Sequence, residues 1–99
     1  MINVTISKTS VRVSGHALMA PYGEDIVCAS CSTAVLMSIN LIEVFGKKDL
    51  IDVKINEGEV LIDILGDDLD VKRIIDNLFF TLKDLELQYP KYIKINENL

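Results

Sequence analysis

The feature that most constrains the fold of this chain is a long segment without charge. No residue from Ile26 to Ile42 is charged, although Asp, Glu, Lys and Arg make up 25% of the sequence. Apolar side chains occur all round a helical projection of this segment, which is typical of a helix buried on most sides. Its interspersed serine, threonine and asparagine residues disfavour a membrane span. We therefore expect a central core helix that stops at Gly46, and no contact with a membrane.

One face of this helix is predicted to point into the core. Residues at spacings of three and four lie on the same side of a helix. The members of this face are Cys28, Ser32, Val35, Ile39 and Ile42. Cys31 lies about 60° round the axis from Cys28, so the two sulfurs are predicted to be neighbours.

Segments that alternate between apolar and polar residues occur on both sides of the central helix. They form two pairs, residues 2–7 with 10–15 and residues 50–56 with 59–65. Because two residues separate the members of each pair, each pair predicts an antiparallel β-hairpin. A further short strand is predicted at residues 92–95.

A second helix is predicted from Leu69 to Gln88, after an acidic start that favours a helix N-terminus. Its core stripe comprises Val71, Ile74, Ile75, Leu78, Leu82 and Leu85. A second apolar set, Leu69, Phe80 and Leu87, falls on the opposite side. Because a monomer would leave that set in water, we expect a homodimer.

The predicted element order is ββαββαβ, a two-layer α+β sandwich of an antiparallel sheet and two helices. A length of 99 residues and a hydrophobic content of 49% indicate one globular domain, residues 1–99. The formal net charge of −5 argues against direct nucleic-acid binding. The N-terminal residues alternate instead of forming a basic and apolar leader, so we expect a cytoplasmic protein.

Residues Gly15 to Ser32 contain the only histidine and both cysteines of the chain. Asp25 is predicted to cap the central helix, with residues 17–24 forming a loop before it. Cys28 would then lie in the first helical turn, where the unpaired N–H groups stabilise a thiolate. His16, at the end of the preceding strand, would act as its base. Asp25 would cap the helix or orient His16.

Other interpretations of these residues stay open at this point. Cys28 and Cys31 form a C-x-x-C pair at a helix start, as in dithiol oxidoreductases. Cys28 alone is equally typical of a small core residue, and His16 of a polar loop residue. One histidine and two cysteines fall short of the four ligands of a structural zinc site, so we predict no metal and no cofactor.

The same segment resembles the signature of the ribosomal-processing cysteine protease family, Prp. The resemblance lies in Gly15-His16-Ala17, Gly23, Asp25-Ile26-Val27-Cys28-Ala29 and Ser32. It implies a cysteine endopeptidase that removes the N-terminal extension of ribosomal large-subunit protein twenty-seven, with Cys28 as nucleophile and His16 as base. The family usually has glycine where this chain has Leu18, and a small or apolar residue where it has Cys31. The competing class is a non-enzymatic ribosome-associated binding protein.

The loop between His16 and Cys28 is predicted to contact the substrate. The residues expected to do so are Leu18, Met19, Tyr22 and Gly23. We also expect His16 and Cys28 to be poorly aligned in the free protein, so that substrate completes the dyad.

Overall fold

The computed structural model describes residues 1–15 and 22–98. The strands are β1 (Ile2–Ser7), β2 (Ser10–Ser14), β3 (Ile51–Asn56), β4 (Glu59–Ile64) and β5 (Ile93–Asn98). The helices are α1 (Tyr22–Val44) and α2 (Leu69–Gln88), and a 3₁₀ turn spans Lys48–Leu50. The predicted α+β class and the order ββαββαβ are therefore confirmed.

The five strands form one sheet in the order β3-β4-β2-β1-β5. Both hairpins are antiparallel, and β2 also pairs antiparallel with β4. The sheet is not wholly antiparallel as expected, because β5 pairs parallel with β1. The reason is topological. Strands β4 and β1 run in the same direction, and α2 carries the chain back to the starting end, so β5 repeats that direction.

Helix α1 begins at Tyr22, earlier than predicted, and Asp25 lies inside it instead of capping it. Acidic residues are favourable throughout the first turn, where they complement the helix dipole, so Asp25 does not mark a boundary. The other end agrees with the prediction. Gly46 adopts a positive φ of 75° just beyond Val44. The N–H groups of Gly46 and Lys47 donate to carbonyls of the last helical turn.

The buried face of α1 is rotated by roughly 60° around the helix axis from the predicted face. Its buried members are Val27, Cys31, Val35, Ser38 and Ile42, whereas Ser32 is exposed and Cys28 and Ile39 are half-buried. Ser38 fits the core because its hydroxyl donates to the carbonyl of Ala34 at 2.9 Å. Because the segment is uncharged and apolar on every side, its sequence does not indicate which face of the helix is buried. Contact with the sheet decides which face that is.

Helix α1 is also less buried than predicted. Its exposed apolar residues, together with the residue after it, are Leu36, Met37, Leu41, Val44 and Phe45, here called the α1 apolar surface. Residues Ile26–Val44 are long and apolar enough to cross a membrane by length and composition, a test that core helices also pass. In this fold the helix packs on α2, and within residues 26–44 its side chains Val27, Cys31, Val35 and Ile42 belong to the hydrophobic core.

Helix α2 follows its sequence pattern closely. Its predicted stripe is buried from Val71 to Leu82, with Leu85 packed at the edge of the core. Asp68 caps the helix by accepting from the N–H of Val71 at 3.0 Å. The Lys47 ammonium lies 2.7 Å from the Asp68 carboxylate and 3.0 Å from that of Asp70. These contacts tie the end of α1 to the start of α2.

The strand directions place different turns and helix ends at the two ends of the sheet. The end of β2, the β3–β4 turn and the N-terminal half of α1 meet at one end. The β1–β2 turn, the end of β4 and the start of α2 meet at the other. A six-residue strand spans roughly 20 Å, which separates the two ends.

Candidate active site

Cys28 borders a small cavity of about 150 Å³ at the end where α1 begins. Helix α1 supplies Cys28, Cys31 and Ser32, and the end of β2 supplies Gly15. The facing wall is the β3–β4 turn with its flanking residues, among them Asn56 and Glu59. Three separate parts of the chain therefore converge on one cysteine.

Gly15 fixes how the end of β2 approaches this cavity. Its φ is +98°, and its N–H donates to the carbonyl of Gly58 at 3.1 Å. A side chain at this position would collide with the carbonyl oxygen of Met1. Only glycine satisfies both the backbone angle and the close contact. His16 is the next residue in the sequence, so the histidine directly follows a residue that lines the Cys28 cavity.

The two cysteines occupy different environments although they are one helical turn apart. Both are free thiols; Cys28 is half-buried at the cavity, whereas Cys31 is only 1% exposed. Burial, with a smaller contribution from Cys28, raises the pKa of the Cys31 thiol from 9.0 to about 11. Cys31 is therefore a protonated, inaccessible thiol at neutral pH. Of the two sulfurs, Cys28 is the one suited to nucleophilic attack.

The earlier start of α1 changes the expected electrostatics at Cys28. In a helix that begins at Tyr22, the N–H groups without a helical partner lie in the first turn, before Cys28. Cys28 lies in the second turn, where its N–H has a helical acceptor four residues earlier. The expectation that the Cys28 N–H would be a free oxyanion donor in the first turn is therefore wrong.

The predicted substrate-binding residues fall in two groups. Tyr22 and Gly23 form the start of α1 and are not part of a loop, because the helix extends over them. His16, Leu18 and Met19 lie outside the described residues, as does the predicted misalignment of His16 with Cys28. The proposal that Asp25 orients His16 stays a prediction.

Sequence reasoning missed the contribution of the β3–β4 turn. Asn56, Gly58 and Glu59 line the cavity, and the Glu59 carboxylate accepts from the Arg12 guanidinium at 3.1 Å. The hairpin itself was predictable from its alternation. Its position beside Cys28 depends on β4 pairing with β2, a pairing that no local pattern encodes.

Metal chemistry has no preassembled site in residues 1–15 and 26–98, whose side chains the structure describes. No group of three histidine, cysteine, aspartate or glutamate side chains there is arranged to hold an ion.

Comparison with known proteins connects this geometry to a family. Residues 1–94 match the family model described as Cysteine protease Prp. The ribosomal processing cysteine protease Prp of Mycoplasma genitalium is 29% identical over 99 residues, covering 98% of this chain and 96% of that protein.

Two crystal structures of the essential ribosomal processing protease Prp from S. aureus share the fold. The complex with a substrate peptide gives a TM-score of 0.89 at 27% identity, covering 99% of this chain and all of the other. The complex with a covalently linked product peptide gives 0.85 at 28% identity with the same coverage. The chain thus belongs to the Prp family of ribosomal-processing cysteine proteases.

Proposed function

We propose that this protein cleaves its substrate with Cys28 as nucleophile and His16 as general base. The observation that carries the proposal is the cavity shared by Cys28 and Gly15, the residue before His16. A catalytic pair must meet within hydrogen-bond reach, and a histidine directly after a cavity-lining residue needs no long connection to do so. The covalently linked product peptide of the S. aureus relative supports covalent catalysis.

In the proposed reaction, His16 takes the proton from the Cys28 thiol and the Sγ attacks the scissile carbonyl carbon. The C–N bond breaks as His16 returns the proton to the leaving amine, and a thioester joins the acyl fragment to Cys28. Water then hydrolyses the thioester, which gives a carboxylate product and regenerates the thiol. Each step uses only the two side chains and water, so the mechanism requires no cofactor.

We propose the precursor of ribosomal large-subunit protein twenty-seven as the substrate, cut to remove its N-terminal extension. Support comes from relatives named as ribosomal processing proteases, one of them bound to a substrate peptide. Leu18 and Met19 are proposed to contact substrate side chains, together with Tyr22 and Gly23 at the start of α1. The site of action is proposed to be the cytosol, where free thiols such as these stay reduced.

Cleavage of that precursor by matched cysteine variants tests the proposed function. The wild type is expected to release the extension, as read by mass spectrometry. Cys28→Ser is expected to reduce the rate by roughly a thousandfold or more, because the nucleophile is lost. Cys31→Ala keeps most of the rate, since its sulfur is buried. Equal loss in both variants, with a disulfide in the wild-type protein, would instead indicate dithiol chemistry.

We also propose a homodimer, formed through the α1 apolar surface. A twofold interface places each patch against its own copy, so charged residues would tend to meet like charges. Leu36, Met37 and Leu41 lie in the uncharged segment Ile26–Ile42, and Glu43 is the one charged residue between Leu36 and Phe45. The predicted set on α2, Leu69, Phe80 and Leu87, is exposed as expected, but charged Asp76 and Lys83 interrupt it. We therefore favour α1 over α2 as the dimer surface.

A further inference from the structure

Strand β3 borders the Cys28 cavity and leaves its outer side unpaired. The sheet order β3-β4-β2-β1-β5 makes β3 and β5 the two edge strands. Asn56, the last residue of β3, is among the residues that line the Cys28 cavity. The outer side of β3, here called the β3 edge, therefore leads directly to a wall of that cavity.

The free backbone groups of the β3 edge belong to Val53 and Ile55. The N–H of Leu65 donates to the carbonyl of Leu50, which fixes the residues of β3 that bond to β4. Bonded residues alternate along an antiparallel pair, so the N–H and C=O groups of Val53 and Ile55 point away from β4. No backbone group in the described part of the chain bonds to them. The β3 edge thus offers two donors and two acceptors to an added strand.

The other edge strand, β5, is protected by a side chain. The N–H of Ile95 donates to the Glu86 carboxylate of α2 at 2.7 Å, so this edge amide is already satisfied. Proteins commonly protect sheet edges in such ways against pairing with another chain. None of the side chains of residues 1–15 and 26–98 bonds to the β3 edge in this manner. Of the two edges, β3 is the one open to pairing.

Ile55 adds an exposed apolar side chain to this edge. It lies on the helix side of the sheet, like the buried Ile51, yet it is 64% exposed. Its cross-strand neighbour is Val60, which is half-buried and lines the Cys28 cavity. Directly opposed side chains on neighbouring strands lie about 4.5–5.5 Å apart. Ile55 therefore continues the apolar wall of the cavity out to the β3 edge.

We propose that the substrate binds by strand addition, with an extended segment paired to the β3 edge and an apolar side chain packed on Ile55. The inference rests on the proposed function and deepens it, because it names how the site holds a peptide. In strand addition, main-chain hydrogen bonds give affinity and contacts of alternate side chains give selectivity. The occupant is the substrate because the β3 edge is continuous with the cavity of the proposed nucleophile.

The strand spacing determines how far the paired segment lies from the scissile bond. Neighbouring strands are about 4.8 Å apart, so an added strand lies roughly 10 Å from β4, whose Val60 lines the cavity. An extended chain advances about 3.3 Å per residue, so about three residues connect the paired segment to the bond that Cys28 attacks. Recognition should therefore extend beyond the residues next to the scissile bond.

Two substitutions of Ile55 separate its side chain from its backbone. Ile55→Ala removes the apolar contact, whereas Ile55→Pro also removes the outward N–H and leaves the β3–β4 ladder intact. In a Cys28→Ser background, we expect Ile55→Ala to weaken binding of the labelled ribosomal precursor roughly fivefold. Ile55→Pro should weaken it about fivefold further, through the lost hydrogen bond. In the active enzyme both changes should raise KM more than they lower kcat.

Matched controls lie elsewhere on the surface. Leu87→Ala removes an exposed apolar side chain from α2, and Glu97→Pro removes an outward amide from β5. Both controls should bind the precursor like the parent protein. Unchanged binding by the Ile55 variants, or equal weakening by the controls, would overturn the proposal.

N-methylation of the substrate gives a second measurement that leaves the enzyme unaltered. Only every second amide of an added strand faces its neighbour. A scan of single N-methyl groups along a precursor peptide should therefore weaken binding to the Cys28→Ser protein at alternate positions, beginning about three residues from the scissile bond. Loss without this alternation, or no loss, would contradict strand addition. Absence of precursor cleavage by the wild type would refute the proposed function alone, because binding does not depend on turnover.

Discussion

At the scale of the residue, a rotation of about 60° around α1 separates an accessible sulfur from a buried one. Both cysteines line the cavity, but Cys28 is only half-buried whereas Cys31 is 1% exposed and belongs to the hydrophobic core. The same thiol chemistry is therefore available at one position and suppressed at the other. The C-x-x-C spacing by itself does not indicate this difference, since it depends on which face of the helix meets the sheet.

The raised pKa of Cys31 predicts a loss of stability at high pH. The folded protein holds the thiol proton up to a pKa of about 11, whereas the unfolded chain releases it near 9.0. The contribution of the protonated thiol to the free energy of unfolding is thus fully present below pH 9. It falls by about 3 kcal/mol as the pH rises toward 11. Denaturant unfolding at pH 7 and pH 11 should show a smaller loss for Cys31→Ala than for the wild type. Parallel losses would contradict this assignment.

Gly15 offers a second test at the residue scale. Gly15→Ala must adopt a left-handed backbone and also displace the Met1 carbonyl, whereas Gly46→Ala meets the first problem in open space. Left-handed strain costs about 1–2 kcal/mol, and the collision should add to it. Denaturant unfolding should therefore show a larger loss for Gly15→Ala than for the control Gly46→Ala. Equal losses would mean that the contact with Met1 relaxes freely.

At the scale of the element, Asp68 joins α1 to α2 by two interactions. The Lys47 hydrogen bond, followed by the Val71 N–H, lowers the pKa of the Asp68 carboxyl. Asp68→Ala removes both the cap and the ion pair, and we expect Tm to fall by roughly 4–8 °C. Asp67→Asn, which neutralises the adjacent carboxylate, serves as the control and should leave Tm nearly unchanged.

The stabilisation from Asp68 also depends on pH. A lowered folded pKa means that this stability is present above the ordinary value of 3.8 and is lost as the pH falls through the folded pKa. An acid titration of Tm should therefore separate the wild type from Asp68→Ala near neutral pH and bring the two curves together at low pH. Curves that stay apart under acidic conditions would contradict the role of the charge.

The two helices differ in how well the sequence predicts them. Charged residues on one side of α2 fix its apolar phase, so the buried stripe from Val71 to Leu82 was predictable. Helix α1 has no charged face to set against an apolar one. Which of its faces is buried therefore follows from packing on the sheet. In the candidate site, the proximity of Gly15 and Cys28 was predictable from their short separation. The position of Asn56 and Glu59 was not, because it depends on strand order.

At the scale of the whole molecule, the α1 apolar surface predicts a dimer that one charge should dissociate. Met37 is 69% exposed, and Met37→Glu would place two carboxylates near the twofold axis. Sedimentation at micromolar concentration should give the mass of two chains for the wild type and one for Met37→Glu. Leu87→Glu, a matched change on α2, should stay dimeric. Dissociation by Leu87→Glu alone would assign the interface to α2. A monomeric wild type would contradict the proposed dimer.

The parallel pairing of β1 with β5 has a consequence for the time course of assembly. Residue 2 pairs with residue 93, so this edge of the sheet closes across nearly the whole chain. Such non-local contacts form slowly, because a long loop must be ordered before they contribute. During synthesis the edge of β1 that will pair with β5 therefore stays unpaired until β5 has been made. Its exposed N–H and C=O groups can pair with another nascent copy. In refolding, the β1 and β5 amides that bridge these two strands should be the last to gain protection from hydrogen exchange.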